Sequence, residues 1–156
     1  MKKNINTWQK VVLAALRIGI GWHFLYEGIT KLASPDWTSA GYLAGSRWIF
    51  SGFYHWIVEN PSVLNVVDFI NVWGLILIGA GLIVGLFTRV AAISGMVLLA
   101  FYYLSHPAII GVSYAIPSEG SYLWINKNLI ELLALWVILL FPTWKTVGLD
   151  RLIFRR

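Results

Sequence analysis

Cysteine is absent from the 156 residues, and charged residues make up only 12% of them. Without thiols the chain alone cannot build a disulfide relay, an iron–sulfur centre or a covalently attached haem. A soluble domain usually carries about twice that share of charge. With 58% hydrophobic residues and a mean hydropathy of +0.71, the composition excludes an ordinary water-soluble domain and expects a bilayer. Glycine-rich phosphate loops, nucleophile elbows and Glu-x-x-His metal motifs are missing too. Twelve basic residues against seven acidic ones give a formal charge of +5. The basic residues fall at the ends of apolar runs, which is a topology signal and not a nucleic-acid patch. The length allows one domain, residues 1–156, with about four membrane helices.

Four apolar stretches are present, at about 11–33, 64–87, 90–110 and 123–141. Each has about 19 to 24 residues, the length a helix needs to cross roughly 30 Å of hydrocarbon. The expected fold is therefore all-α: an antiparallel four-helix transmembrane bundle. The first stretch carries Arg17, His23, Glu27 and Lys31 and lacks an adjacent Ala-x-Ala site, so it reads as a retained helix and not as a signal peptide.

Lys2, Lys3, Lys10, Arg89, Lys145, Arg151, Arg155 and Arg156 gather on one side of such a bundle, with only Arg47 in the opposite loops. The positive-inside rule then puts both termini in the cytoplasm, and the expected location is the inner (cytoplasmic) membrane of a prokaryote. Trp8 and Trp144 fall at the inner interface, and Trp37, Trp48, Trp56 and Trp124 near the outer one. Between the first two helices, Tyr42–Ile57 is aromatic-rich and broken by glycines, as a short interfacial helical segment would be. Such a segment either anchors the chain or roofs a site.

The chemistry lies in ionisable residues within the spans. Arg17, His23, Glu27 and Lys31 fall within about 120° of one helix face, which must look into protein because each mid-membrane charge costs about 2.5 to 3.5 kcal/mol. Asp68 and Asn71 on the second helix, Tyr102, Tyr103, Ser105 and His106 at the end of the third, and Asn126, Lys127, Asn128 and Glu131 at the start of the fourth are the available partners. Helix direction brings Glu27, Lys31, Asp68, Asn71, His106, Lys127, Asn128 and Glu131 to the outer half, and the charges balance if Arg17 is included: Arg17, Lys31 and Lys127 against Glu27, Asp68 and Glu131. One reading is an ion-pair network that registers the bundle. The other is a pocket for a head group that exchanges protons, most naturally a quinone. Glu27, Glu131 and His23 would then move protons, and Arg17, Lys31, Asp68, Asn71, Trp73, His106, Lys127 and Asn128 would bind. His23 and His106 form the only intramembrane histidine pair, with no further haem signature, so neither metal, haem nor flavin is expected in the chain.

Three runs carry a family likeness: Leu16–Leu32, which reads LRIGIGWHFLYEGITKL; Gly79–Arg89, which reads GAGLIVGLFTR; and Asn126–Glu131, which reads NKNLIE. They resemble the DoxX-type membrane proteins. With Trp37–Leu43 after the first helix, the chain is most similar to the DoxD branch, the membrane subunit of thiosulfate:quinone oxidoreductase. The likeness covers about Leu16 to Asp150. It implies a four-helix membrane subunit that passes electrons from a reduced sulfur compound such as thiosulfate to ubiquinone or menaquinone, alongside a separate partner subunit. Many relatives carry an acidic residue near the glycine run, where this chain has Asn71 and Trp73. Two other classes stay open: a non-catalytic anchor or assembly partner, self-associating or bound to a redox complex, and a small transporter, for which no inverted repeat is evident.

Overall fold

The structure is a computed structural model that describes residues 6–109, 114, 123–143 and 147–153. Within these residues every element is helical: α1 (Thr7–Leu32), α2 (Ala40–Ala44), α3 (Ser51–Glu59), α4 (Pro61–Val84), α5 (Thr88–Ser105), α6 (Lys127–Leu140) and α7 (Asp150–Ile153). Lys2, Lys3, Trp144, Lys145, Arg155 and Arg156, which enter the topology argument, lie outside the described residues, as does Ile110.

Local chemistry sets the helix ends and shifts several from their expected positions. Asn6 and Gln9 form a reciprocal capping box, so α1 begins at Thr7 and not near Val11. Pro61 occupies the first turn of α4, where its missing N–H costs nothing, and Gly85 in the left-handed conformation (φ 71°) ends the helix. The helix thus stops at Val84, short of the expected Phe87. Pro107 lies just beyond the end of α5, so that helix stops at Ser105 and not near 110. Leu123 and Trp124 have positive φ, and α6 starts only after the Asn126 side chain accepts from the Leu129 N–H at 3.1 Å.

Two of these helices are long and apolar enough to cross a membrane, Pro61–Val84 and Thr88–Ser105. With its 26 residues α1 is longer but less apolar, because Arg17, Glu27 and Lys31 interrupt it. The fourteen residues of α6 rise only about 21 Å, less than the roughly 30 Å of hydrocarbon. The expected fourth span, 123–141, is thus shorter as a helix than its apolar run.

The largest interface joins α1 to α4. A Cβ on Gly21 would lie 2.9 Å from the Gly79 carbonyl oxygen, and one on Gly28 would lie 2.7 Å from Ile76 Cγ1. Contacts descend α4 as they ascend α1, so the two helices run antiparallel. The three-residue turn Gly85–Phe87 sends α5 back along α4, and a Cβ on Gly95 would meet Leu135 of α6 at 2.9 Å. Phe24, Leu82, Ala92, Leu99, Leu135 and Ile138 fill the core between the four long helices, each at most 2% exposed. A second small core, Leu43, Tyr54 and Ile57, holds α2 and α3 against the first turns of α4.

The two ends of the molecule differ. At the turn end, Asp150 accepts from the N–H groups of Phe87 (2.7 Å) and Thr88 (3.0 Å) and so caps α5 from the far end of the sequence. The Asp150 and Leu149 N–H groups donate to Gly85 O at 2.8 Å and Val84 O at 3.3 Å. Arg17, only 1% exposed, packs beside Gly85 and Gly148 and feels the Asp150 charge. At the opposite end the helices open into a cavity.

Candidate functional site

The cavity has a volume of about 660 Å³ and is bounded by α1, α4, α5, the α2–α3 segment and the start of α6. That size accommodates a ring-sized head group with part of a tail.

Its polar heart is a four-residue knot. Lys31 Nζ donates to Asn71 Oδ1 at 3.1 Å and to the Tyr102 hydroxyl at 3.4 Å, and Asn71 Nδ2 donates to the same hydroxyl at 2.7 Å. Glu27 Oε2 lies 3.4 Å from Lys31 Nζ, one turn back along α1. The ammonium also sits 4.9 Å from the Trp37 ring centre and 5.5 Å from that of Tyr102. Because the Tyr102 oxygen accepts two hydrogen bonds, its own proton is left to donate elsewhere.

A second polar pair lies deeper. His23 Nδ1 is 2.9 Å from Glu131 Oε1, bridging α1 and α6, and the other carboxylate oxygen, Oε2, is buried without a hydrogen-bond partner. His23 reaches the cavity wall, whereas Glu131 stands behind it.

The roof comes from the aromatic segment between α1 and α4. A helix leaves its last four carbonyls without intrahelical partners. At the end of α5 three hydroxyls of the roof serve these carbonyls or their neighbour: Tyr54 donates to Phe101 O at 2.9 Å, Tyr42 to Tyr102 O at 3.1 Å and Ser46 to Ser105 O at 2.9 Å. The His106 ring lies 4.1 Å from that of Tyr42 and 4.6 Å from that of Tyr114, centre to centre. Its Nδ1 contacts Ser105 Oγ at 2.9 Å, while Nε2 is buried with no hydrogen-bond partner. Burial lowers the His106 pKa and keeps the ring neutral near pH 7. Burial, reinforced by the Tyr102, Tyr54 and Tyr114 phenols, raises the Tyr42 phenol above the usual tyrosine range.

Of the residues singled out by sequence, His23, Glu27, Lys31, Asn71, His106, Lys127 and Asn128 all line this one cavity. Three take other places. Arg17 lies at the turn end, so it does not join the charge balance of the cluster. Asp68 accepts from Thr38 Oγ1 (2.7 Å), Ser39 N–H (2.9 Å) and Ser39 Oγ (2.5 Å), tying the start of α2 to α4. Trp73 is 42% exposed and turns outward beside Phe69, with ring centres 6.3 Å apart. Tyr42 and Ser46 contribute more than their sequence context indicates. Hydroxyls in an apolar run carry no periodic signal, and only the aromatic density of 42–57 hinted at a roof. Among the described residues no group of three or more histidines and carboxylates gathers as a metal site.

Two helices long and apolar enough to cross a membrane, an all-helical architecture among the described residues and an aromatic-walled cavity suit a membrane protein with a small-molecule-sized internal site. The DoxX family pattern matches residues 12–107, from the second turn of α1 to the residue after His106, and the chain belongs to the DoxX family. No curated protein and no solved structure matches it.

Proposed function

We propose that the chain is the membrane subunit of a quinone-linked oxidoreductase of the DoxD type, carrying the quinone head group in the cavity between α1, α4 and α5. The observation that carries this reading is the Lys31–Asn71–Tyr102 knot at the base of an aromatic-walled cavity. It presents a phenolic donor and an ammonium where a carbonyl oxygen would sit, beneath the aromatic roof of Tyr42, Tyr54 and His106. These groups fit a flat, neutral ligand with a hydrogen-bonding oxygen better than a small anion, because Glu27 already faces Lys31.

A bound quinone supplies two-electron, two-proton acceptor chemistry. The chain's own residues would do the rest. Tyr102 and Lys31 would orient one oxygen, and the aromatic roof would exclude water. His23, held by Glu131, would take or give a proton at Nε2, with Glu131 balancing the imidazolium. Electrons would come from a separate partner subunit oxidising a reduced sulfur compound such as thiosulfate. In this reading α1, α4, α5 and α6 all traverse the inner membrane, both termini are cytoplasmic, and the cavity opens toward the outer side. The basic Arg89 at the turn between α4 and α5 and the basic tails favour that orientation.

The test compares quinone-dependent dye reduction with thermal stability on one purified complex. Glu131→Gln should suppress quinone reduction about 100-fold, the usual worth of a positioned acid–base group, while shifting the melting temperature little. Equal activity per folded molecule in Glu131→Gln and the parent would defeat the quinone reading in favour of an anchoring subunit.

A further inference from the structure

Three apolar residues that line the cavity, Phe53 of α3, Ile70 of α4 and Phe101 of α5, are 48%, 59% and 48% exposed. Each sits one residue from a group on the inner wall. Ile70 precedes Asn71, Phe101 precedes Tyr102, and Phe53 precedes Tyr54, whose hydroxyl binds Phe101 O. The cavity is open and not sealed, and these three side chains give it an apolar edge on the side of α3, α4 and α5. Ile70 and Phe101 belong to the two helices that are long and apolar enough to cross a membrane, so this edge faces hydrocarbon and not water. Trp56, stacked on Phe53 with ring centres 6.4 Å apart and planes at 21°, marks its upper rim with the amphipathic ring typical of a membrane interface.

We infer that the mouth formed by Phe53, Ile70 and Phe101 is a lateral portal, through which a membrane-dissolved amphiphile enters and where its apolar tail remains while the head group sits at the Lys31 knot. The ligand class is thus a ring-type head bearing a hydrocarbon tail, drawn from the bilayer and not from the aqueous phase. The inference rests on the quinone reading for the identity of the head group, but not for the tail. A soluble anion would have no use for an apolar opening placed against acyl chains, whereas a tail crossing it avoids desolvating any polar group.

The experiment measures binding to the full-length protein in detergent. One series pairs 2,3-dimethoxy-5-methylbenzoquinone with its decyl derivative, and a second pairs phenol with 4-decylphenol. In the parent, the decyl tail should tighten binding by at least about tenfold, the worth of two methylenes buried at the mouth. Ile70→Trp and Phe101→Trp, which narrow the mouth from outside, should remove most of that gain and leave the tail-less quinone nearly unaffected. Leu77→Trp, on the same outward surface of α4 but away from the mouth, should keep it. A tail gain that survives both mouth variants overturns the portal, even if the quinone head still binds. Mouth-sensitive binding of 4-decylphenol without binding of either quinone upholds the portal and overturns the quinone reading. No tail-dependent binding in either series overturns the portal outright.

Discussion

Tyr102 and Asn71, on adjacent antiparallel helices, share a 2.7 Å hydrogen bond in which the amide donates and the phenol oxygen accepts. That direction leaves the phenolic proton pointing to whatever occupies the cavity. Tyr102→Phe should cost about 1 to 3 kcal/mol of stability, because Asn71 Nδ2 loses its acceptor in a partly buried site. The same change should weaken decylubiquinone binding about tenfold. Thermal unfolding and a binding titration on the same preparation check both.

Lys31 has two kinds of partner, a carboxylate on its own helix and an amide across the interface. Glu27 is 42% exposed, so its pairing should couple to Lys31 by no more than about 0.5 kcal/mol, as i,i+4 pairs do. Asn71 is buried and accepts from the ammonium, where about 1.5 to 3 kcal/mol is usual for a charged hydrogen bond. Double-mutant cycles with Lys31→Met against Glu27→Gln and Asn71→Leu should therefore give the larger coupling across the helices. The reverse order would show that the knot is held by its local ion pair.

Gly28 and Gly74 provide a matched contrast on the α1 and α4 helices. A Cβ at Gly28 would press against the backbone and side chain of Ile76, whereas one at Gly74 would meet nothing within 4 Å. Gly28→Ala should lower stability by about 1 to 3 kcal/mol. Gly74→Ala should leave it unchanged or raise it by up to about 1 kcal/mol through helix propensity. Melting in a mild detergent distinguishes them.

His106 gives the roof a pH dependence of definite sign. Its pKa is lowered in the folded protein by burial between Tyr42 and Tyr114, with Ser105 at Nδ1, so the unfolded chain binds the proton more readily. Its stability contribution is complete above about pH 6.5, the unfolded value. It declines as pH falls from there toward the folded pKa. His106→Phe should flatten this limb of the stability profile, and an unchanged acid limb would refute the assignment.

The orientation is open to a direct check. A reporter fused after Arg156 should be cytoplasmic, and one inserted after Ser34 should be extracytoplasmic. Exchange of these two readouts would invert the molecule and turn the cavity toward the cytoplasm.

The helical character of the chain and the gathering of His23, Glu27, Lys31, Asn71, His106, Lys127 and Asn128 were legible because intramembrane polar residues need company and helix direction fixes their level. The exact partners were not. Sequence spacing pairs Lys31 with Glu27, which lies 3.4 Å away, but it does not reveal the second bond, 3.1 Å to Asn71, forty residues away on another helix. Asp68 acts on Lys31 as a counter-charge from a distance, but its hydrogen bonds go to the backbone and hydroxyl of Ser39, since a carboxylate near a chain reversal finds free N–H groups first. Arg17 shares a helical face with the cluster, yet its position nearly three turns before Glu27 places it at the opposite end. Helix ends slipped by several residues wherever a cap, a proline or a positive φ outweighed hydropathy, as at Gly85 and Leu123.

Asp150 also imposes an order on synthesis. The arginine it accompanies lies in the first helix to leave the ribosome, and the α5 N-terminus it caps is complete long before residue 150 is made. Until residue 150 is made, Arg17 lacks the nearby charge of Asp150 and the start of α5 lacks its acceptor, so chains stopped before Asp150 should be less stable than the full sequence.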